Sequence, residues 1–120
     1  MPAKRFAFPK SRRLTRPAEF ELVKERGRVQ RGSFLLLSVL KKDASESFRA
    51  GFVTSRALGS AAKRNRVRRR LREIVRKHQG RLERGSWLVT IARQSAARAT
   101  YQQLQAEWLR LADRASILAA

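Results

Sequence analysis

Apolar residues recur along this chain with two different periods, and the switches between them mark its elements. Residues 1–14 show neither period: Phe6 and Phe8 stand in a basic arm with two prolines. Such an arm either frays or is pinned by its aromatics as an extended strap across the core, and the residues leave both readings open. Thr15-Arg16-Pro17 then predicts a helix start, with Thr15 as N-cap and Pro17 tolerated in the first turn. Glu19 and Glu21 sit near its positive end, Phe20 and Val23 line one face with Lys24 beside them, and Gly27 is the expected terminator. The runs Ser33–Leu40 and Phe48–Ser55 have strand composition. The polar stretch 41–47 between them predicts a hairpin loop, and a short further strand is expected around Arg28–Arg31.

After Gly59-Ser60 the spacing becomes helical. Val67, Leu71, Ile74, Val75 and His78 share one narrow face, with Ser60 as N-cap and Gly80 as stop. Trp87–Ala92 is a continuous apolar run of strand length. Thr100-Tyr-Gln-Gln103 has the form of a capping box, and Tyr101, Leu104, Trp108, Leu111 and Ala115 make the stripe of a last helix. The order helix, two or three strands, helix, strand, helix implies a small α+β sandwich, one sheet with helices packed against it.

Composition narrows the function classes. The 120 residues suit one domain with a real core, read as a single domain over 1–120 with 1–14 as its extended basic N-terminal arm. No apolar run approaches the roughly 18 residues that would cross a bilayer, and the first residues lack the apolar core of a secretory signal, so no membrane partner is expected. The absence of cysteine excludes thiolate chemistry and fits a reducing cytoplasm. With 29 Lys and Arg against 9 Asp and Glu, a net charge of +20 points to a polyanionic partner. One histidine and two aspartates leave little for side-chain catalysis. The carboxylates are scattered, whereas two-metal phosphodiester hydrolysis needs clustered acidic oxygens, which argues against a protein acting as a nuclease by itself.

The charge is concentrated in the second helix. From Lys63 to Arg72, seven of ten side chains are cationic and none is acidic. Arg64/Arg68, Arg66/Arg70 and Arg68/Arg72 are like-charge i,i+4 pairs, each costing a few tenths of a kcal/mol, roughly, where a merely solvated helix would alternate signs. A phosphate backbone would relieve that repulsion. The helical wheel directs Asn65, Arg69, Arg72 and Arg76 outward, sets Arg66 and Arg70 at the border, and leaves Arg64 near the apolar side. Arginine rather than lysine suits two-pronged recognition of phosphates and bases.

The run Lys63-Arg-Asn-Arg-Val-Arg-Arg-Arg-Leu-Arg72 resembles the Arg-Asn-Arg signature of the bacterial ribonuclease P protein family. Phe8-Pro9, Arg13-Leu14, Pro17-x-x-Phe20, Gly51–Arg56 with Leu58-Gly59, and Trp87–Arg93 are similar to the family's other segments. The resemblance implies a two-layer α-β-β-β-α-β-α sandwich, like some ribosomal protein domains, with a left-handed βαβ crossover. It implies the protein subunit of a ribonucleoprotein endonuclease that removes the 5′ leader of precursor tRNA. In that family the RNA subunit performs the magnesium-dependent hydrolysis, and the protein, itself not catalytic, binds catalytic RNA and substrate and promotes metal binding. Magnesium would be held mainly by the RNA, with one protein monomer in the particle. Residue by residue, the resemblance assigns catalytic-RNA binding to Lys63, Arg64, Asn65, Arg66, Arg68, Arg69 and Arg72, and a single-stranded-leader cleft to Phe20, Ser55, Arg56 and Arg93. Lys24 stands where many relatives carry a second cleft aromatic, Ala57 where a basic residue often follows, and Ser60 where asparagine is common.

Each assignment has a plainer counterpart. Phe20, at helical spacing with Val23, is read equally as core and as stacking platform; Tyr101, Trp108 and His78 are read as packing residues. A structural RNA-binding protein would share the basicity without the cleft. A helix laid in a DNA major groove fits poorly with strands on both sides of the arginine helix.

Overall fold

In the computed structural model, which describes residues 10–119, the two most continuous apolar runs form the middle of one sheet. Phe6 and Phe8 lie outside the described residues. Strands β1 (Arg28–Arg31), β2 (Leu35–Lys41), β3 (Arg49–Val53) and β4 (Ser86–Ala92) are arranged in the order β1-β2-β4-β3. β1 and β2 form an antiparallel hairpin, β2 and β4 pair antiparallel with Leu36 opposite Ile91, and β3 runs parallel to β4 with Val53 opposite Ile91. The expected hairpin between the second and third strands is therefore not formed. β4 intervenes, because its side chains meet apolar neighbours on both faces, the pattern of a central strand. The loop after β2 folds instead onto the start of β4: Lys42 N–H donates to the Gly85 carbonyl at 2.7 Å, and Gly85 N–H to Glu46 at 2.8 Å.

Helices α1 (Pro17–Arg26), α2 (Ala61–His78) and α3 (Tyr101–Arg114) cover the two faces unequally. α2 and α3 share one face, where Val67, Leu71, Ile74, Leu104, Trp108 and Leu111 pack against Leu35, Leu37 and Leu88. The Trp108 indole N–H donates to Thr90 Oγ1 at 3.1 Å, so its one polar atom is satisfied in the core. His78 stacks on Trp108 with centroids 6.5 Å apart and faces Gln105, a packing position. α1 alone lies on the other face, burying Val23 against Val89 and Leu14, with Phe20, Leu40, Trp87 and Ile91 at the margin. That face is only partly covered.

Helix ends follow local chemistry with small shifts. α2 starts at Ser60, whose hydroxyl accepts the Lys63 N–H at 3.3 Å, and Thr100 and Gln103 cap α3 reciprocally. α2 stops at His78 and passes into a 3-10 turn that contains Gly80, two residues before the expected stop. Arg16, not Thr15, is the N-cap of α1, because Pro17 takes the first helical position and the Glu19 carboxylate accepts the N–H groups of both Thr15 and Arg16 at 3.0 Å.

Glu19 also pairs with Arg49 at 2.6 Å, and Arg49 donates to the Arg13 carbonyl at 2.9 Å, tying α1, β3 and the residues before α1 together. Burial raises the Glu19 pKa, but the hydrogen bonds from Arg16, Thr15 and Arg49 outweigh it and hold the carboxyl below its usual value. A carboxylate lowered on folding stabilises the fold above its unfolded pKa, and that stability is lost as pH falls through the folded value. Glu19→Gln should therefore melt below the wild type at about pH 7, and the gap should close as the pH falls below the ordinary glutamate range. A gap that stays constant across the titration would show that the charge of Glu19 contributes nothing.

Candidate RNA-binding surfaces

The arginines of α2 divide into two sets. Lys63, Asn65, Arg66 and Arg69 are exposed and Arg64 is half-buried. They form the outward surface, in a helix whose apolar side is filled by Val67, Leu71, Ile74 and Val75. Arg68 and Arg72 instead lean toward the edge of β3. Arg68 donates from Nη2 to Thr54 Oγ1 at 2.6 Å and from Nη1 to Asn65 Oδ1 at 3.3 Å. Arg72, expected to face outward, is half-buried, and its Nε is buried without a hydrogen-bond partner. Burial, then the charges of Arg13 and Arg68, lower its pKa from the usual arginine value. It remains cationic at neutral pH. Arg76, also expected outside, is half-buried and paired with Glu73, while Arg70 donates to the Ala99 carbonyl at 3.0 Å. The wheel misplaced Arg72 and Arg76 because long side chains bend toward neighbouring elements that a lone helix does not show.

A cavity of about 360 Å³ lies where Arg13, Arg68 and Arg72 meet Phe20 and Phe52 over Gly51. Its shape depends on Gly51: a Cβ there would stand 2.5 Å from the Phe20 ring. Phe20 thus lies close on the strand yet stays half-buried, at once a packing residue and a wall of the cavity. The preceding segment closes the β3 edge, with Leu14 N–H donating to the Ala50 carbonyl at 2.9 Å and Leu14 only 5% exposed. Arg13 and Leu14 are therefore pinned along β3, preceded by a 3-10 turn over Lys10–Arg12 and not by extended chain.

From this cavity a half-covered floor crosses the α1 side of the sheet. Leu36, Ile91 and Val53 stand side by side on β2, β4 and β3, each half-buried. Ser38 donates to the Val23 carbonyl of α1 at 3.1 Å, so alternation places Leu36 and Leu40 on this side and Leu35 and Leu37 in the opposite core. Ser55, Arg56 and Arg93 follow at the shared C-terminal end of β3 and β4, all exposed.

Arg93 is held in place by the β1–β2 turn. Its Nη1 donates to the Gly32 carbonyl at 3.0 Å, and Ser95 donates to the Ser33 carbonyl at 2.6 Å. The other side of that turn is fixed by Glu107 of α3, 2% exposed, whose carboxylate accepts the N–H groups of Ser33, Phe34 and Leu35 at 2.8, 2.7 and 2.7 Å. Gly32 has no Cβ because one would stand 2.4 Å from the Glu107 carboxyl carbon.

Sequence reasoning missed Arg13, Thr54, Leu36, Ile91 and Glu107. Their positions depend on sheet order and register, which no local pattern carries; only Glu107, an acid on the apolar side of its helix, left a trace. Among the described residues, no group of three or more His, Asp and Glu converges to hold a metal ion, and no helix is long and apolar enough to cross a membrane.

Comparisons with known proteins give the family and the fold. The Ribonuclease P family model matches residues 8–116. A ribonuclease P protein component of Chloroflexus aggregans is 39% identical over 110 residues, covering 91% of this chain and 81% of the relative. One from Symbiobacterium thermophilum is 38% identical, covering 91% and 95%. Among solved structures, the Staphylococcus aureus RNase P protein superposes with a TM-score of 0.84 at 25% identity, covering 91% of this chain and 99% of that one. The Thermotoga maritima RNase P protein gives 0.77 at 26% identity, covering 85% and 96%. An arginine-crowded helix beside a half-open sheet, carried on this fold and matched along nearly its whole length, places the chain in the bacterial ribonuclease P protein family, the protein component of a ribonucleoprotein endoribonuclease that processes tRNA.

Proposed function

We propose that this chain joins two RNAs through two adjoining surfaces. Lys63, Arg64, Asn65, Arg66 and Arg69 dock on the catalytic RNA. Phe20, Ser55, Arg56 and Arg93, with the Leu36–Ile91–Val53 floor, hold the single-stranded 5′ leader of precursor tRNA. The observation that carries this reading is the cavity in which Arg68 and Arg72 of the docking helix share walls with Phe20 of the cleft. Single-stranded RNA is held by aromatic platforms and cationic grooves, and the cavity combines both. A rigid connection between the two surfaces turns leader binding into placement of the scissile phosphate within the RNA active centre. On this reading magnesium belongs to the RNA, which performs the hydrolysis. The described side chains bring no suitable donor cluster together, and no step is assigned to a metal on this chain. One protein monomer serves each particle, in the cytoplasm.

Reconstitution of the chain with its cognate catalytic RNA tests this reading. Phe20→Ala should weaken binding of leader-bearing precursor tRNA by about 5- to 150-fold, the worth of one stacked base. Mature tRNA without a leader should be affected far less. Equal losses for both, with an unchanged circular dichroism spectrum, would reduce Phe20 to a packing residue and remove the cleft from the proposal.

A further inference from the structure

A second basic cavity, of about 400 Å³, opens at the opposite margin of the sheet and belongs to neither surface described above. Arg26 at the end of α1, Arg28 on β1, Lys41 at the end of β2 and Arg114 at the end of α3 supply its charges, and Gln30 and Ser116 add polar groups. No carboxylate lines it. Lys41 is engaged, donating to Glu83 and to the Ser116 carbonyl at 3.3 Å. Arg26, Arg28 and Arg114 are exposed and make no side-chain hydrogen bond or ion pair with any described residue.

Cations at helix C-termini have an ordinary explanation, since each helix end carries roughly half a negative charge. Two such ends and the Glu83 carboxylate still leave the four cations with an excess of about two positive charges. The wall also holds the one described non-glycine residue at positive φ, Ser116 at 59°. It occupies the left-handed position after α3, where Ile117 N–H returns to the Ala112 carbonyl at 3.2 Å. Glycine would sit there without strain; serine adds a hydroxyl to the cavity.

We infer that the Arg26/Arg28/Arg114 cavity is a third RNA contact, taking backbone phosphates of a segment separate from the one on α2. Its excess charge matches the two charges of adjacent phosphodiesters. Its place at the β1 margin is three strand spacings, about 14 Å, from the β3 edge toward which Arg68 and Arg72 lean, so one phosphate cannot serve both.

The test is binding of the full chain to the catalytic RNA alone, measured against salt. Arg26→Gln/Arg28→Gln/Arg114→Gln should make the log–log salt slope shallower by about one and a half to two, with an unchanged melting curve. The same number of charges removed at scattered exposed positions, Lys10→Gln/Arg81→Gln/Arg98→Gln, should change it by less than about one. Equal changes in both variants, or an unchanged slope in the first, would overturn the inference. An inorganic phosphate titration separates the sources: phosphate bound at the arginines with the RNA slope unchanged means a free-anion site and also overturns it. Leader discrimination in the cavity variant should stay at the wild-type level. A Phe20→Ala variant that binds leader-bearing substrate as the wild type does would count against the leader cleft and leave this result standing.

Discussion

Replacing Arg64, Arg66 and Arg69 together with glutamine should nearly abolish the salt sensitivity that the docking helix contributes to assembly. If each contacts one phosphate, the log–log slope becomes shallower by about two to three. A rise from about 50 to about 200 mM salt would then cost the wild type roughly 20- to 40-fold more affinity than the variant. The fold should not suffer. Arg66 and Arg69 are exposed, and the change removes like-charge pairs such as Arg64/Arg68 and Arg66/Arg70, so the melting temperature should hold or rise. Arg68 is the wrong choice for this experiment, because its bond to Thr54 makes it part of the scaffold. Equal slopes for variant and wild type would remove α2 from the RNA interface.

Glu107→Gln should be the most damaging conservative change on the face away from the cleft. The carboxylate takes three backbone N–H donors in a nearly dry site, and an amide offers one oxygen where two are used. Hydrogen bonds to charged groups and stranded donors together put the loss at roughly 3 kcal/mol, about 10 °C in melting temperature. The effect should also reach the cleft: with the turn loosened, Gly32 no longer fixes the Arg93 guanidinium, and leader-bearing substrate should bind more weakly at temperatures where the variant is fully folded. A variant as stable as the wild type would show that the turn holds its shape without this residue.

Most of the elements were legible because each rests on local chemistry. Ser60 and the Thr100/Gln103 box start their helices as expected, and even the four-residue strand at Arg28–Arg31 is present. The crowding of arginines on α2 was legible for the same reason: seven cations in ten residues need no tertiary knowledge. The arrangement of the sheet was not. Phe48–Ser55 following Ser33–Leu40 after a short polar loop reads as a hairpin, and only the later strand at Trp87 reveals that the two never pair. The cleft floor was hidden with it. Which of Phe34–Leu37 faces α1 turns on a one-residue register, settled here by the bond from Ser38 to Val23. The role of Glu107 was hidden for a further reason, since its partners are backbone groups more than 70 residues away, at Ser33, Phe34 and Leu35.

The position of β4 has a consequence for how the molecule is made. As the chain leaves the ribosome, β2 can pair with β1, but β3 has no partner among the strands before it and waits for residues 86–92. The arginine helix is therefore synthesised before the sheet that supports it can close, and a nascent chain halted at Gly80 has the cations of an RNA ligand without the platform to aim them. Closure comes late and joins distant segments at once, a route on which an early encounter with RNA can capture a half-built chain.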